Sequence, residues 1–403
     1  MAPRTPGSVL DGLTIVEVSA FIAAPMAGMT LAQLGAEVIR VDPLEGGLDH
    51  HRWPVTEDGY SMYWAGLNKG KRSVAVDMRT DEGRQVVRRL VTAAGEGRGI
   101  LLTNIGPAWL GYEELRELRH DVIMVLLRGS PNGRIAVDYT VNAAVGFPLI
   151  TGDGASPTNQ VLPAWDVATA GWLATAVLLA DRHRAATGEG QLVELALSDV
   201  AMTTTSHLGY TADVEINDAD RQAYGNHIYG TFGTDFVTGD RERVMVLALT
   251  PRQWRSLVTA TSSETEMAEI ERDLGCDLRD EGARFEARHQ IVTALQPWFA
   301  GRPLHEIGEL LDAHGVCWGP YQTVRRAIER DARLSESNPV FERIDQPGMG
   351  THLAGGSPLR FGAVPRTPIR PAPALGADTD AVLGEVAGFD AGELAALRSS
   401  GVI

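Results

Sequence analysis

Short apolar runs alternate with helical patterns along the first half of the chain, and this alternation constrains the fold more than any other feature of the sequence. The run 13–19 (LTIVEVS) is rich in β-branched residues and predicts a buried strand. Residues 25–36 predict a helix that ends at Gly35, and 37–42 (EVIRVD) predict a second strand. A strand, a helix and a strand in this order are typical of a parallel sheet.

The same pattern continues to residue 200. Further strands are predicted at 72–78, 99–104, 121–129 and 191–197, and further helices at 80–94, at 112–119 and after Asp166. The predicted fold class is therefore α/β, with a large open, Rossmann-like α/β domain over residues 1–200.

The second half of the chain predicts a smaller domain and its connections. Residues 201–224 are interpreted as a linker, 225–328 as a small α+β domain, and 329–403 as a long return linker followed by C-terminal helices that pack on the large domain. The stretch 224–230 (YGNHIYG) fits either a lid over a site or a plain connection, and the sequence leaves both open.

Composition and charge exclude several classes of function. The net charge of −16 disfavours nucleic acid and anionic membrane as partners. No apolar run approaches the roughly 18 residues that predict a membrane span. The N-terminus has no apolar signal segment, and Cys276 and Cys317 lack CxxC spacing, so a reducing cytoplasmic location is expected.

Several common catalytic signatures are missing from the sequence. No GxSxG elbow, GxxxxGK[ST] loop or zinc-ligand spacing occurs, and FIAAPMAG (21–28) stands where a dinucleotide-binding GxGxxG would open the first β-α-β unit. We therefore expect no metal and no nicotinamide or flavin cofactor. Of 36 basic residues only Lys69 and Lys71 are lysines; this pair fits a phosphate-binding site or chance, and the residues alone leave both open.

Asp166, in the segment LPAWDVATAG, precedes a long apolar helix. Its position predicts an N-cap, where free backbone N–H groups and the helix dipole favour an ionised carboxylate. An ionised carboxylate in a dry pocket can also attack an activated carbonyl. The residues alone favour the capping role and leave the chemical one open.

Four segments together resemble the family III CoA-transferases, a group that includes formyl-CoA transferases and α-methylacyl-CoA racemases. The similarity lies in LDGLTIVEVSAFIAAPMAGMTLAQLGAEVIRVDP, NKGKRSVAVDMRTDEGR, LPAWDVATAG and ATGEGQLVELALSDV, with a late segment PAPALGADTDAVL. The resemblance implies that Asp166 is the nucleophile and carries a covalent aspartyl intermediate. It also implies a homodimer of interlocked chains, with no cofactor beyond the CoA moiety of the acyl-CoA substrate.

The resemblance further implies which residues contact CoA. The positions that match the family's CoA site are Ile22, Ala23, Lys71, Arg72, Asp77, Arg79, Asn104 and Ile105, with Tyr139 beside the thioester. Family members often have a basic residue where this chain has Pro43, and Arg40 is expected to substitute for it.

Within the family, the sequence is most similar to members that move CoA from one carboxyl group of mesaconate to the other. An intermolecular CoA transfer to another dicarboxylic acid is the alternative that the sequence leaves open. Racemases of the family use a His before an Asp to move an α-proton, and here that position is Val137, before Asp138. Racemisation is therefore disfavoured.

Overall fold

The computed structural model describes residues 7–403, and a six-stranded parallel sheet lies at its centre. Its strands are β1 (Thr14–Val18), β2 (Glu37–Asp42), β3 (Arg72–Ala75), β4 (Ile100–Thr103), β5 (Ile123–Arg128) and β6 (Leu192–Ala196). The order across the sheet is β3-β2-β1-β4-β5-β6. The predicted strands and the α/β fold class are confirmed, because most of these strands are buried on both faces, as a parallel sheet requires.

Helices connect these strands and continue beyond them. In chain order they are α1 (Ala23–Gln33), α2 (Met62–Leu67), α3 (Asp81–Val91), α4 (Tyr112–Leu118), α5 (Asp138–Ala144), α6 (Phe147–Ile150), α7 (Ala164–Thr187), α8 (Leu197–His207) and α9 (Tyr210–Asn217). Helix α3 begins where the sequence predicted, since the Thr80 hydroxyl accepts the Gly83 N–H at 3.0 Å. Helix α7 ends at Thr187, and Gly188 after it takes the left-handed conformation with φ 79°.

The chain divides into two compact units. One contains the residues up to Val145, Val161–Asp213 and Ala332–Ile403; the other contains Gly146–Gln160 and Val214–Asp331. In the first unit, α1 packs against α7, and α7 also contacts β5. Its C-terminal helices, α16 (Thr379–Glu385) and α17 (Ala391–Ser399), share a hydrophobic core with the sheet and α3 through Val382, Leu397 and Val87.

The second unit is built on a three-stranded antiparallel sheet. Its strands are β7 (Phe232–Val237), β8 (Arg243–Ala248) and β9 (Cys317–Pro320), paired in that order. Its further helices are α10 (Pro251–Thr261), α11 (Glu264–Leu274), α12 (Glu281–Glu286), α13 (Arg288–Ala300), α14 (Leu304–Ala313) and α15 (Val324–Arg330). The smaller α+β fold is thus as predicted, and its two cysteines are free thiols.

Two predicted connections contain regular structure. The expected linker at 201–224 includes most of α8 and all of α9. Threonines interrupt the apolar periodicity of α8, and their hydroxyls donate back to the helix, for example from Thr204 to the Val200 carbonyl at 2.7 Å. The expected return linker holds an antiparallel pair, β10 (Phe341–Gln346) and β11 (Gly350–Gly355).

Within residues 7–403, no helix combines the length and the apolar character that spanning a bilayer requires.

Candidate active site

The middle of the parallel sheet contains a topological switch point. Strands β1 and β4 are neighbours there, and the chain continues from them towards opposite edges of the sheet. Open α/β sheets bind ligands in the crevice beyond the carboxyl ends of such strands. Here the Asn104 side chain spans that point, since it accepts the Ala20 N–H at 2.9 Å and donates to the Ala20 carbonyl at 2.8 Å.

The turn between β1 and α1 is held in a strained conformation. Phe21 has φ 68°, which a bulky side chain rarely adopts, and its ring is exposed. The next residue, Ile22, precedes α1 without a side-chain cap. The first N–H groups of α1 are therefore not engaged by a capping side chain, and such N–H groups favour anions.

A cavity of about 530 Å³ lies at this end of the sheet. It brings together five of the predicted site residues: Ile22, Ala23, Asn104, Tyr139 and Asp166. The rest of its lining is Phe21, Arg52, Tyr63, Leu127, Arg128, Gly129, Ala136, Val137, Asp138, Pro163 and Leu197. Tyr139 is held by a hydrogen bond from its hydroxyl to the Val161 carbonyl at 3.2 Å.

Asp166 is the third residue of α7, and the prediction that it is the N-cap is wrong. The helix begins at Ala164 after Pro163, and Asp138 supplies the capping acceptor. One Asp138 oxygen accepts the N–H groups of Trp165 at 2.7 Å and of Asp166 at 3.0 Å. The Asp166 carboxylate is thereby left for other partners.

Burial raises the pKa of Asp166 to about 6, the Asp138 charge adds to this rise, and the Arg52 charge opposes it. The expectation that the helix start would favour the ionised form is therefore corrected, because desolvation dominates. With a pKa near 6, Asp166 is still mostly ionised at neutral pH, and it is more basic than an exposed carboxylate.

Asp138 caps α7 and lines the cavity, a position that the sequence did not predict. It is 2% exposed, and its second oxygen, Oδ1, has no hydrogen-bond partner among residues 7–403. Because its partners lie more than twenty residues along the chain, no local pattern predicts this contact.

Arg52 and Tyr63 also line the cavity and were not predicted. The Arg52 guanidinium lies 5.0 Å from the Tyr63 ring centroid and 5.6 Å from that of Phe21. Burial raises the pKa of Tyr63 to about 12, so its hydroxyl remains protonated.

Arg40 and Lys71 lie in a buried ion cluster formed with Glu17, Asp42 and Asp49. Arg40 contacts Glu17 at 3.2 Å and Asp42 at 2.9 Å, and Lys71 contacts Glu17 at 2.8 Å. Both basic side chains are 0% exposed. In this structure neither presents a surface to a phosphate, and this argues against the CoA contacts expected of them.

The same cluster contains three groups that resemble metal ligands. Oxygens of Asp42 and Asp49 and a ring nitrogen of His50 lie within 4.8 Å of one another. The Arg40 guanidinium occupies the space between the two carboxylates, at 2.9 Å and 3.2 Å. It supplies the positive charge that a metal ion would bring there.

The remaining predicted residues lie around β3 and β4. Arg72 begins β3, at the edge opposite the crevice, and pairs with Glu37 at 2.7 Å. Asp77 and Arg79 follow the carboxyl end of β3; they pair at 2.7 Å, and the Arg79 side chain is 74% exposed. Ile105 follows Asn104 and is exposed.

The chain belongs to CoA-transferase family III, because the model of that family matches residues 10–379. The predicted family is therefore confirmed. The chain is 50% identical over 400 residues to 2-methylfumaryl-CoA isomerase of Chloroflexus aurantiacus, covering 98% of each chain. It is 28% identical to succinyl-CoA:mesaconate CoA-transferase of Haloarcula hispanica, covering 91% of this chain and 93% of that one.

Solved structures have the same fold. A CAIB/BAIF family protein from Brucella suis superposes with a TM-score of 0.75 and 24% sequence identity. The match covers 94% of this chain and 99% of that one.

Proposed function

We propose that this chain interconverts 2-methylfumaryl-CoA (mesaconyl-C1-CoA) and 3-methylfumaryl-CoA (mesaconyl-C4-CoA) by intramolecular CoA transfer. The observation that carries the proposal is the position of Asp166, whose carboxylate lines the cavity while Asp138 caps its helix. The 50% identity to 2-methylfumaryl-CoA isomerase supports the choice of substrate.

Asp166 acts as a nucleophile in the first half of the reaction. Its carboxylate oxygen attacks the thioester carbonyl, and CoA thiolate leaves with the electron pair of the C–S bond. The product is a mixed anhydride of Asp166 and the acyl group. The thiolate then attacks the aspartyl carbonyl of that anhydride, which gives an aspartyl-CoA thioester and free mesaconate.

The second half of the reaction uses the other carboxylate of mesaconate. Because the diacid is trans-unsaturated, its carboxyl groups cannot close a five-membered anhydride. The released mesaconate therefore rotates within the cavity before its other carboxylate attacks. Attack on aspartyl-CoA forms the second anhydride, and thiolate attack on its mesaconyl carbonyl releases the C4 thioester and restores Asp166. A closed cavity is needed to exclude water and foreign acids.

CoA is proposed to lie along the carboxyl edge of the sheet, and no metal or redox cofactor takes part. Ile22 and Ala23 precede and begin α1, Asn104 and Ile105 follow β4, and Arg79 follows β3, so all five stand at this edge. Backbone N–H groups that no side chain caps, together with a cation, suit the phosphates of CoA. Tyr139 is proposed to stand beside the thioester.

The active form is proposed to be a cytoplasmic homodimer of interlocked chains, as the family resemblance implies. Large apolar side chains on the outer side of α7 support a partner chain, since Trp172 is 57% and Leu179 61% exposed. Light scattering tests this proposal by measuring the mass in solution.

A single assay separates the isomerase from an intermolecular transferase. Purified protein receives mesaconyl-C1-CoA alone, and chromatography follows the C4 isomer. Isotope-labelled free mesaconate is then added. We expect isomerisation without label in the product; labelled product would indicate intermolecular transfer, and no C4 isomer would contradict the proposal.

The covalent step has its own test. Hydroxylamine added during turnover is expected to convert Asp166 to a hydroxamate that peptide mass spectrometry detects. The Asp166→Asn variant is expected to lose turnover by about 10⁴-fold or more, the scale on which removal of a nucleophile acts. Parental turnover in this variant would exclude the aspartyl intermediate.

A further inference from the structure

The proposed substrate carries a second negative charge that the active site has to accommodate. While one carboxyl group of mesaconate is bound as thioester or anhydride, the other is a free carboxylate. Placing a carboxylate in a partly desolvated cavity is costly unless a cation or several donors pair with it. The inference below rests on the proposed function and concerns this second carboxylate.

Two arginines line the Asp166 cavity, and they differ in their pairing. Arg128 is bound to Glu194 at 2.7 Å, so its charge is already balanced. In the part of the chain that the structure describes, no carboxylate pairs with the Arg52 side chain. Arg52 is thus the cavity arginine without a paired carboxylate in the described chain, and its charge also acts on Asp166.

The Arg52 side chain is exposed, and its ring contacts leave its N–H donors unused. Its guanidinium lies over the rings of Phe21 and Tyr63, so the contact is made through ring faces. Its main chain is held as well, because the Ser61 hydroxyl donates to the Arg52 carbonyl at 2.6 Å. The N–H groups in the guanidinium plane have the geometry that binds a carboxylate through two parallel hydrogen bonds.

We propose that Arg52 binds the free carboxylate of the substrate while the other carboxyl group reacts at Asp166. In the first half of the reaction the bound group is the C4 carboxylate, and after mesaconate has rotated in the cavity it is the C1 carboxylate. One cation therefore serves both halves, and the cavity selects dicarboxylic acyl groups over monocarboxylic ones.

The test measures binding, so that it is independent of turnover. All measurements use the Asp166→Asn background, which holds the acyl-CoA without reaction. The two ligands are mesaconyl-C1-CoA and 2-methyl-2-butenoyl-CoA in its E form, in which a methyl group replaces the free carboxylate. Calorimetry gives the Kd of each ligand for the background protein and for its Arg52→Gln and Arg52→Lys derivatives.

The background protein is expected to bind mesaconyl-C1-CoA roughly 10- to 100-fold more tightly than the methyl analogue, the range of a charge-assisted pair. Arg52→Gln is expected to abolish this preference and to change the Kd of the methyl analogue by less than about twofold. Arg52→Lys should restore only part of it, because lysine lacks the two-pronged geometry. Arg398→Gln, a surface arginine paired with Asp380, is the matched control and should preserve the preference.

Two outcomes would overturn the proposal. An equal loss of affinity for both ligands in Arg52→Gln would show that Arg52 contacts the CoA moiety or has a structural role instead. Equal affinity of the background protein for both ligands would show that no cation recognises the second carboxylate. These outcomes differ from failure of the isomerase proposal. In that case the background protein would still bind mesaconyl-C1-CoA more tightly than the methyl analogue, but the wild type would form no C4 isomer.

Discussion

The buried ion cluster and the Asp166 cavity both contain arginine and aspartate side chains, but they pair them differently. In the cluster, Arg40 and Lys71 have carboxylate partners at 2.8 to 3.2 Å, and both are sealed from solvent. In the cavity, Arg52 has no carboxylate partner within the described chain, and Asp138 keeps one buried oxygen without a hydrogen bond. In the cluster the charged groups are paired with one another and stabilise the fold, whereas in the cavity they remain able to bind a ligand.

The difference shows that pairing, more than residue type, separates a structural charge from a functional one. Buried ion pairs contribute little net stability, yet breaking one is costly because it leaves an uncompensated charge. Sites that bind charged substrates keep groups whose pKa values are displaced, as burial does for Asp166. Neutralising one charge in each region should therefore change stability in opposite directions.

The largest effect on stability is expected in the cluster. Arg40→Met leaves Glu17, Asp42 and Asp49 buried with Lys71 as their remaining basic partner, apart from His50. We expect the free energy of unfolding to fall by about 3–5 kcal/mol. Denaturant titration at pH 7.5 measures it, and Arg398→Met on the surface serves as the control. A loss no larger than that of the control would show that the cluster is not held by these pairs.

Asp166→Asn is expected to have the opposite effect and to stabilise the fold. The pKa of Asp166 rises from 3.8 to about 6 on folding, so the folded state favours the protonated carboxyl group. The stability that this group contributes is therefore fully present below pH 3.8 and is lost as the pH rises through 6. Above that pH the variant should be more stable by on the order of 2–3 kcal/mol. Denaturant titrations at pH 4 and pH 8 test this, and a difference that does not grow with pH would contradict it.

The sequence predicted the large sheet and its order of elements well, because short apolar runs and a local cap such as Thr80 are local signals. Through the family resemblance, Asp166, Asn104, Ile22 and Ala23 were predicted as site residues, and the structure brings them together in one cavity. The sequence could not predict that Arg40 is paired with carboxylates and that Arg52, among residues 7–403, is not, since ion pairing depends on which segments become neighbours in the fold. The capping of α7 by Asp138 was missed for the same reason.

The influence of Asp138 on Asp166 is expected to appear in the pH profile. Protonation of Asp166 removes the nucleophile, so kcat/KM should fall as the pH drops through about 6. Asp138→Asn keeps an oxygen to cap α7 but removes a like charge, so this acid limb should move to lower pH. The shift should be less than one pH unit, because burial is the larger cause and the Arg52 charge is unchanged.

Profiles of kcat/KM from pH 5 to pH 8 measure this shift for the wild type and the variant. A thermal melt of both proteins shows whether the cap has survived. An acid limb that stays in place in a folded Asp138→Asn protein would mean that the Asp138 charge does not act on the nucleophile.

The smallest effect is expected outside the cavity, where Arg79 and Arg72 offer a matched pair. Both were predicted to bind CoA, but Arg79 follows the carboxyl end of β3 and is 74% exposed, whereas Arg72 begins that strand and pairs with Glu37 and Glu385. We expect Arg79→Gln to raise KM for the acyl-CoA roughly two- to fivefold without changing kcat, because a phosphate competes with Asp77 for a solvated cation. The increase should shrink at high salt, since exposed charges are screened. Arg72→Gln should leave KM unchanged, and the reverse result would place CoA at the opposite edge of the sheet.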